Sequence, residues 1–261
     1  MRILLWAEYK KLRRSSIVWI TIFATIMIAV VVFAEGQGIY NGPDIQYGLK
    51  TVHDGTRYID NAGWYMDEAQ PLATILVLPA VIALLGSYII CREEEDDTMK
   101  SLRLIPVNEV NLTAAKMIVV FIFSVLIYLL LFTITFLTEA VLHFSDLSAK
   151  LVLCCITEYL GDGIGVFLAV SPVIALVAKM KKGYWLALVL TEIYSCGGLF
   201  AGMSSKLQAF YPIYAVFNLS GYHITSPVKR LISILVLLLC GGLSAIIMKG
   251  LKHSKKSEEV F

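Results

Sequence analysis

Apolar positions along this chain fall into six long blocks, not into the alternation of a half-buried strand or the narrow stripe of a surface helix. The blocks cover about 17–34, 72–91, 115–138, 151–178, 184–202 and 229–249. A helix needs roughly 20 apolar residues to cross a hydrocarbon core of about 30 Å, and each block is near that length. Strand is excluded, because an isolated apolar strand in lipid leaves its backbone unpaired. The pattern therefore predicts an all-α, polytopic integral membrane protein with six transmembrane helices. The fourth block is long and holds Glu158, Asp162 and Pro172, which leaves a tilted or a broken helix open. The first block is 18 residues behind a basic stretch of 16. That is too long on both counts for a signal peptide, so it is read as a retained span.

Composition agrees. Hydrophobic residues make up 58% of the 261 and charged residues 16%, where a soluble domain has about a quarter charged. Mean hydropathy is +0.75. The five cysteines form no C-x-x-C pair and no Cys/His cluster of metal spacing, and are read as small buried apolar residues.

The distribution of charge matters more than its net value of +2. With the amino terminus inside, sixteen of the 22 Lys and Arg residues fall on the cytoplasmic side and six outside. This positive-inside bias predicts cytoplasmic N- and C-termini, with residues 250–261 as a cytoplasmic tail.

The non-membrane segments are few. Residues 1–16 form a basic amphipathic stretch in which Leu5, Trp6, Tyr9 and Leu12 share a helical face and Lys10, Lys11, Arg13 and Arg14 reach headgroups. Such a stretch predicts an N-terminal interfacial helix. The outer loop 35–71 has six acids against two bases and five aromatics. It is read either as a solvated cap or as a surface that steers cations. The outer segment 203–228, with Phe210, Tyr211, Ile213, Tyr214, Val216 and Phe217, predicts a hairpin or short helices dipping into the outer leaflet. No internal repeat is evident.

The cytoplasmic segment 92–114 is the most polar part of the chain. Five acids, Glu93 to Asp97, precede a short helical pattern with Thr98 and Asp97 as alternative caps, and Lys100 and Arg103 near its end. Met99, Leu102, Leu104 and Ile105 give an apolar face, and Pro106 stops the helix. A short helix held between two spans can receive a push from a cytosolic partner; a solvated loop helix is the alternative reading.

Catalytic signatures are absent from the sequence. There is no G-x-x-x-x-G-K-[ST], H-E-x-x-H or G-x-S-x-G, and the four His residues are scattered over loops and tail. No cofactor is expected in this chain, no metal site and no nucleic-acid partner.

Two stretches resemble a known family. Leu5-Trp6-Ala7-Glu8-Tyr9-Lys10-Lys11-Leu12-Arg13-Arg14-Ser15 is similar to the opening of ABC type-2 exporter permeases. Glu95, Thr98-Met99-Lys100-Ser101-Leu102, Ile105-Pro106-Val107, Leu112 and Ala115-Lys116 resemble the segment after their second span. Asp97 stands where Gly is usual, and Asn108 and Glu109 replace Ser-Arg. Within the family, size and the aromatic outer segment resemble bacitracin-resistance and lantibiotic-immunity permeases. The resemblance implies a coupling helix at about 95–105 (Glu95, Asp96, Asp97, Thr98, Met99, Lys100, Ser101, Leu102 and Arg103, stopped by Pro106). It implies an elbow helix carrying Trp6, Glu8, Lys10, Lys11, Arg13 and Arg14, and re-entrant helices at 203–228. It further implies a second permease, identical or homologous, two copies of a separate ATPase that binds the ATP and Mg, amphiphilic peptide or drug substrates, and a bacterial plasma membrane.

Three acids lie within apolar blocks: Glu158, Asp162 and Glu192. A charge at the bilayer centre costs about 3 kcal/mol or more, so it faces protein or water. Glu158 and Asp162, at i and i+4, share a helical face. Either they line a path for a cationic amphiphile, with Glu192, or they sit near the outer interface. Gly161-x-x-x-Gly165 and Gly198-x-x-x-Gly202 permit close helix approach, within the chain or between subunits. Besides the exporter permease, the sequence admits an ion-gradient-driven transporter relaying protons or cations through Glu158, Asp162 and Glu192. Six spans without inverted repeats fit that class poorly. A membrane enzyme or sensor scaffold has no supporting motif.

Overall fold

The computed structural model describes residues 2–13, 15–47, 50–95, 109–180, 184–204 and 207–258. Six helices among them are long and apolar enough to span a membrane: Ser16–Gly36, Trp64–Arg92, Asn111–His143, Ala149–Ala178, Trp185–Gly202 and Pro227–Lys249. The second and fourth form the centre, with 72% and 56% of an 18-residue apolar stretch buried, against 17% for the sixth.

Helix α1 (Arg2–Arg13) ends in Lys10, Lys11 and Arg13, cations placed where the helix dipole favours them. It packs on α5 (Glu109–His143). That contact splits the face expected from the sequence: Leu5 and Leu12 turn inward with Glu8, while Trp6 and Tyr9 are exposed. Ser15 caps α2 (Ser16–Gly36), accepting the Ile17 N–H at 3.3 Å. The inward stripe of α2 includes Thr21 and Thr25, whose hydroxyls return to the Val18 and Thr21 carbonyls. Its outward face is Trp19, Phe23, Val30 and Val31.

The loop after α2 carries a small antiparallel hairpin, β1 (Ile45–Tyr47) with β2 (Lys50–Val52), beside an isolated bridge between Ile39 and Arg57. Helix α3 (Trp64–Leu72) then begins eight residues before the second apolar block. It continues through a π-helical turn (Ala73–Val77) into α4 (Leu78–Glu95). Gly36 lets α3 approach α2: a Cβ there would lie 2.4 Å from the Trp64 ring.

Helix α6 (Ala149–Met180) answers the question left open by Pro172. It is one continuous helix with the proline inside. Proline removes the N–H that would bond the carbonyl four residues earlier. That carbonyl, Leu168, instead accepts the Ser171 hydroxyl at 2.9 Å.

Helix α7 (Trp185–Gly202) leads to the second loop, where a short helix α8 (Pro212–Ser220) is wedged between α6, α7 and α9 (Pro227–Glu258). Proline stands in its first turn and Gly221, at φ +99°, closes its end, as the left-handed cap position requires. Both glycine pairs serve α8. A Cβ at Gly161 would meet Ser220 Cα at 2.7 Å, and one at Gly165 would meet Val216 at 2.8 Å. A Cβ at Gly198 would touch Ile213 at 3.4 Å, and one at Gly202 would meet Tyr214 at 2.6 Å. The close approach is intramolecular.

Candidate functional site

The interior where α3, α5 and α6 meet is polar. Asp162, fully enclosed, accepts Gln70 Nε2 at 2.6 Å and Thr74 Oγ1 at 3.3 Å on Oδ2. Thr74 Oγ1 is 3.0 Å from Tyr128 Oη. Tyr159 Oη donates to the Met66 carbonyl at 2.7 Å, and Ser124 Oγ to the Gly163 carbonyl at 2.7 Å. Side chains from the second, third and fourth spans are thus joined inside the bundle. The π turn adds α7 to the set, since the Ser195 hydroxyl donates to the Ile75 carbonyl. π turns occur frequently at functional positions.

Glu158 lies one turn toward the loop end, half-buried, with Cys154 Sγ donating to it at 3.2 Å. The two acids on one face thus occupy different surroundings. Glu192 is not brought to them. It is half-exposed on α7, flanked by exposed Val189 and Ile193, and no hydrogen bond joins it to Glu158 or Asp162.

The structure adds acids and polar groups that the sequence reading did not single out. Asp67 and Glu68 on α3 are half-buried, and Asp67 is an electrostatic neighbour of Glu158. Glu139, almost fully buried, accepts the Tyr65 N–H at 2.7 Å on Oε1 and faces His143 Nδ1 at 2.9 Å on Oε2. It caps α3 from another span. The signal for Glu139 was the i, i+4 pair Glu139/His143 at the end of an apolar block. Gln70 and Thr74 had none beyond their own i, i+4 spacing.

At the other end of the bundle, Glu8, with Lys11 Nζ at 2.8 Å, and Leu12 share a crevice with Tyr88, Ile89 and Arg92. Lys10 lies over the Trp6 ring at 4.5 Å, and Arg92 over Tyr88 at 5.5 Å. Helix α1 therefore rests beside the part of α4 that runs into the predicted coupling segment. Glu95 is the last residue of α4. Asp96, Asp97, Thr98, Met99, Lys100, Ser101, Leu102, Arg103 and Pro106 lie outside the described residues, as does Arg14 of the elbow.

Three acids of the outer loop are held by partners within the loop. Asp60 pairs with Arg57 at 2.8 Å, Asp44 faces His53 at 3.0 Å, and Asp54 accepts the Gly42 N–H. The hydrogen bond to Asp60 raises the Arg57 pKa. Beside the second loop, a 320 Å³ cleft is lined by residues including Gln208, Tyr214, His223 and Lys229. Burial lowers the His223 pKa and raises that of Tyr214.

No group of three His, Cys, Asp or Glu among the described residues could hold a metal ion; of the buried acids, Glu139 caps a helix and Asp162 accepts interior hydrogen bonds. Six helices long and apolar enough to cross a membrane, the second and fourth packed at the centre, define a multi-pass membrane protein with a polar interior. The comparison with known families gives the particular one. The model of the ABC-2 family transporter proteins matches residues 4–198, from α1 to near the end of α7, and the chain belongs to that family. It is the permease subunit of an ABC transporter, a multi-pass protein of what in bacteria is the plasma membrane. The bacitracin transport permease protein BCRB of Bacillus licheniformis is 25% identical over 143 residues, which cover 55% of this chain and 68% of that protein.

Proposed function

We propose that this permease belongs to an ATP-driven exporter that removes amphiphilic antimicrobial peptides or drugs, of the bacitracin or lantibiotic type, from the membrane. Hydrolysis takes place in a separate ATPase, present in two copies, which binds the ATP and Mg. A second permease, identical or homologous, completes the path. Both termini face the cytoplasm, in keeping with sixteen of 22 basic residues on that side. Residues 95–105 receive the ATPase stroke, and α1 lies in the cytoplasmic interface. Substrate reaches the permease laterally from the bilayer. The observation that carries the reading is family membership together with the similarity to a bacitracin transport permease.

The test is co-purification from membranes of the native host. An ATPase subunit is expected to accompany this chain, with hydrolysis stimulated by bacitracin or a lantibiotic. Absence of any ATPase, or hydrolysis unmoved across a peptide panel, refutes it. Charge reversal of the acids at 93–97, or Met99→Pro, is expected to keep the chain in the membrane and abolish peptide resistance.

A further inference from the structure

The enclosed Asp162 carboxyl is only partly paired. Its Oδ2 receives two hydrogen bonds, from Gln70 and Thr74, but its Oδ1 receives none, and neither does Oε1 of the same Gln70. Both side chains are almost wholly buried. The Ser220 hydroxyl lies beside the carboxyl group as a further hydrogen-bond neighbour and is also 3.3 Å from the Phe217 carbonyl. The Tyr159 hydroxyl is committed to Met66. Buried acceptors without donors are rare and unfavourable. Here two of them sit on a pair of groups already joined by a 2.6 Å hydrogen bond.

Three occupants can fill such a gap. A calcium or magnesium ion takes about six oxygen ligands, and among the described residues Asp162 Oδ1 and Gln70 Oε1 are the unpaired side-chain oxygens of this site. A water molecule donating to both leaves an ionised carboxylate enclosed, and no Lys, Arg or His among the described residues bonds to Asp162 to balance it. A hydrogen on Oδ1 meets every requirement at once. It donates to Gln70 Oε1, it ends the orphaning of both oxygens, and it removes the charge. Acid and amide then form a closed pair, each group donating once and accepting once.

A row of carboxyl groups leads from this pair toward the loop end. Glu158, one turn away, is an electrostatic neighbour of both Asp162 and Asp67. Asp67 adjoins Glu68, and Glu68 is a neighbour of Glu35 at the end of α2. The other titratable groups facing Asp162 are Tyr128 and Tyr159.

We infer that Asp162 and Gln70 form a proton-binding site inside the permease, with the proton on Asp162 Oδ1 donated to Gln70 Oε1 and exchanged with the loop end through Glu158, Asp67, Glu68 and Glu35. The bound proton fastens the second span to the fourth beside the π turn. Its departure leaves two acceptor oxygens opposed and loosens that contact. The site depends only on this chain's own side chains and stands apart from the assignment of an ATPase partner.

Infrared difference spectroscopy on the full chain in lipid nanodiscs tests it, comparing wild type with Asp162→Asn. A protonated carboxyl stretch present in wild type at pH 7 and missing from the variant is expected, converting to a carboxylate band as the pH is raised. Gln70→Leu is expected to move the frequency of that band, and Glu158→Gln to slow its exchange with deuterium. Because the pair exists only with its proton on, its contribution to stability is present at low pH and lost as pH rises. Wild type is therefore expected to lose thermal stability on the alkaline side while Asp162→Asn, which replaces the acid by a neutral donor, does not. An Asp162 carboxylate band at pH 7, or a band that shifts with added sodium or potassium at fixed pH, overturns the inference. If Asp162→Asn fails to accumulate, the Gln70→Leu spectrum decides alone: an unmoved carboxyl band overturns the pairing.

Discussion

Helix α3 starts without a cap of its own, and the group that completes it comes from another span. Gly63, at φ +87°, precedes the helix and offers no side chain. The Tyr65 N–H is among the donors a helix start leaves free, and it is taken by Glu139 Oε1 at 2.7 Å, 74 residues away. Glu139→Ala removes the acceptor at this helix N-terminus and strands the buried Tyr65 N–H. A buried donor left without its partner costs roughly 1–3 kcal/mol, so a loss of about 3 kcal/mol is the upper expectation. Glu139→Gln keeps an acceptor for that N–H, and the change in side-chain charge near a helix N-terminus is worth about 0.3–1 kcal/mol. At roughly 2–4 °C per kcal/mol for a chain of about this size, alanine lowers Tm by up to about 6–12 °C. Glutamine lowers it by less than about 4 °C on the same scale. The assay is thermal unfolding of the full chain in nanodiscs, with hydrogen exchange at the Tyr65 amide as the local readout. Equal losses for the two variants, or an unchanged Tyr65 exchange rate in alanine, refute capping by Glu139.

Three further predictions follow from single contacts. Gly161→Ala drives a methyl into the backbone of Ser220 and is expected to cost about 1–3 kcal/mol as overpacking does, whereas Gly242→Ala meets nothing within 4 Å and is expected to be neutral or stabilising; chemical unfolding of both in one detergent checks the contrast. Ser171→Ala frees the Leu168 carbonyl above Pro172 and is expected to cost about 1 kcal/mol and to widen the helix bend, read by spin-label distances along α6. His223 is held neutral by burial, its pKa lowered from 6.5. The unfolded chain therefore binds the proton more readily, and stability is expected to fall as pH drops below about 6.5. Thermal melts at pH 7 and pH 5 are expected to show that fall in wild type and a smaller one in His223→Gln.

The number and class of the spans were legible because a bilayer imposes one requirement, long apolar helix, that few other settings impose. Their limits were not. Asp67, Glu68, Gln70 and Pro71 look like a loop next to an apolar block, so the second span is drawn from 72. In the folded chain the polar side chains of 67–70 face other protein, and Pro71 is accommodated ahead of the π turn, so the helix starts at Trp64. The glycine spacings announced close approach without saying to what. The partner is α8, whose apolar residues Ile213, Val216 and Phe217 were visible only as an unusually apolar outer segment. Spacing also placed Glu158 and Asp162 on one face correctly, yet depth along that face decides their chemistry. Depth depends on α3 and α5, which local sequence does not position. Docking of α1 on α5 likewise divides Leu5 and Leu12, turned inward, from Trp6 and Tyr9, turned outward, a division that spacing alone does not show.

These contacts converge on one stretch of α6. In Gly161-Asp162-Gly163-Ile164-Gly165, Gly161 and Gly165 admit α8, Asp162 bonds α3, and Gly163 lies against α5, where a Cβ would stand 3.0 Å from Val125 Cα. Three glycines in five residues make this the weakest helix former in the span, so its helical state is maintained by neighbours and not by propensity. A permease that alternates its access must slide some helices past others. Close-packed side chains resist sliding because they interlock, whereas glycine surfaces present little to interlock. Around α6 the glycine contacts, to α8 and α5, occur at the level where Asp162 bonds Gln70 and Thr74 of the second span. Tyr159 to the Met66 carbonyl and Ser124 to the Gly163 carbonyl tie the same level to α3 and α5, so polar bonds hold in register the helices that the glycines leave smooth.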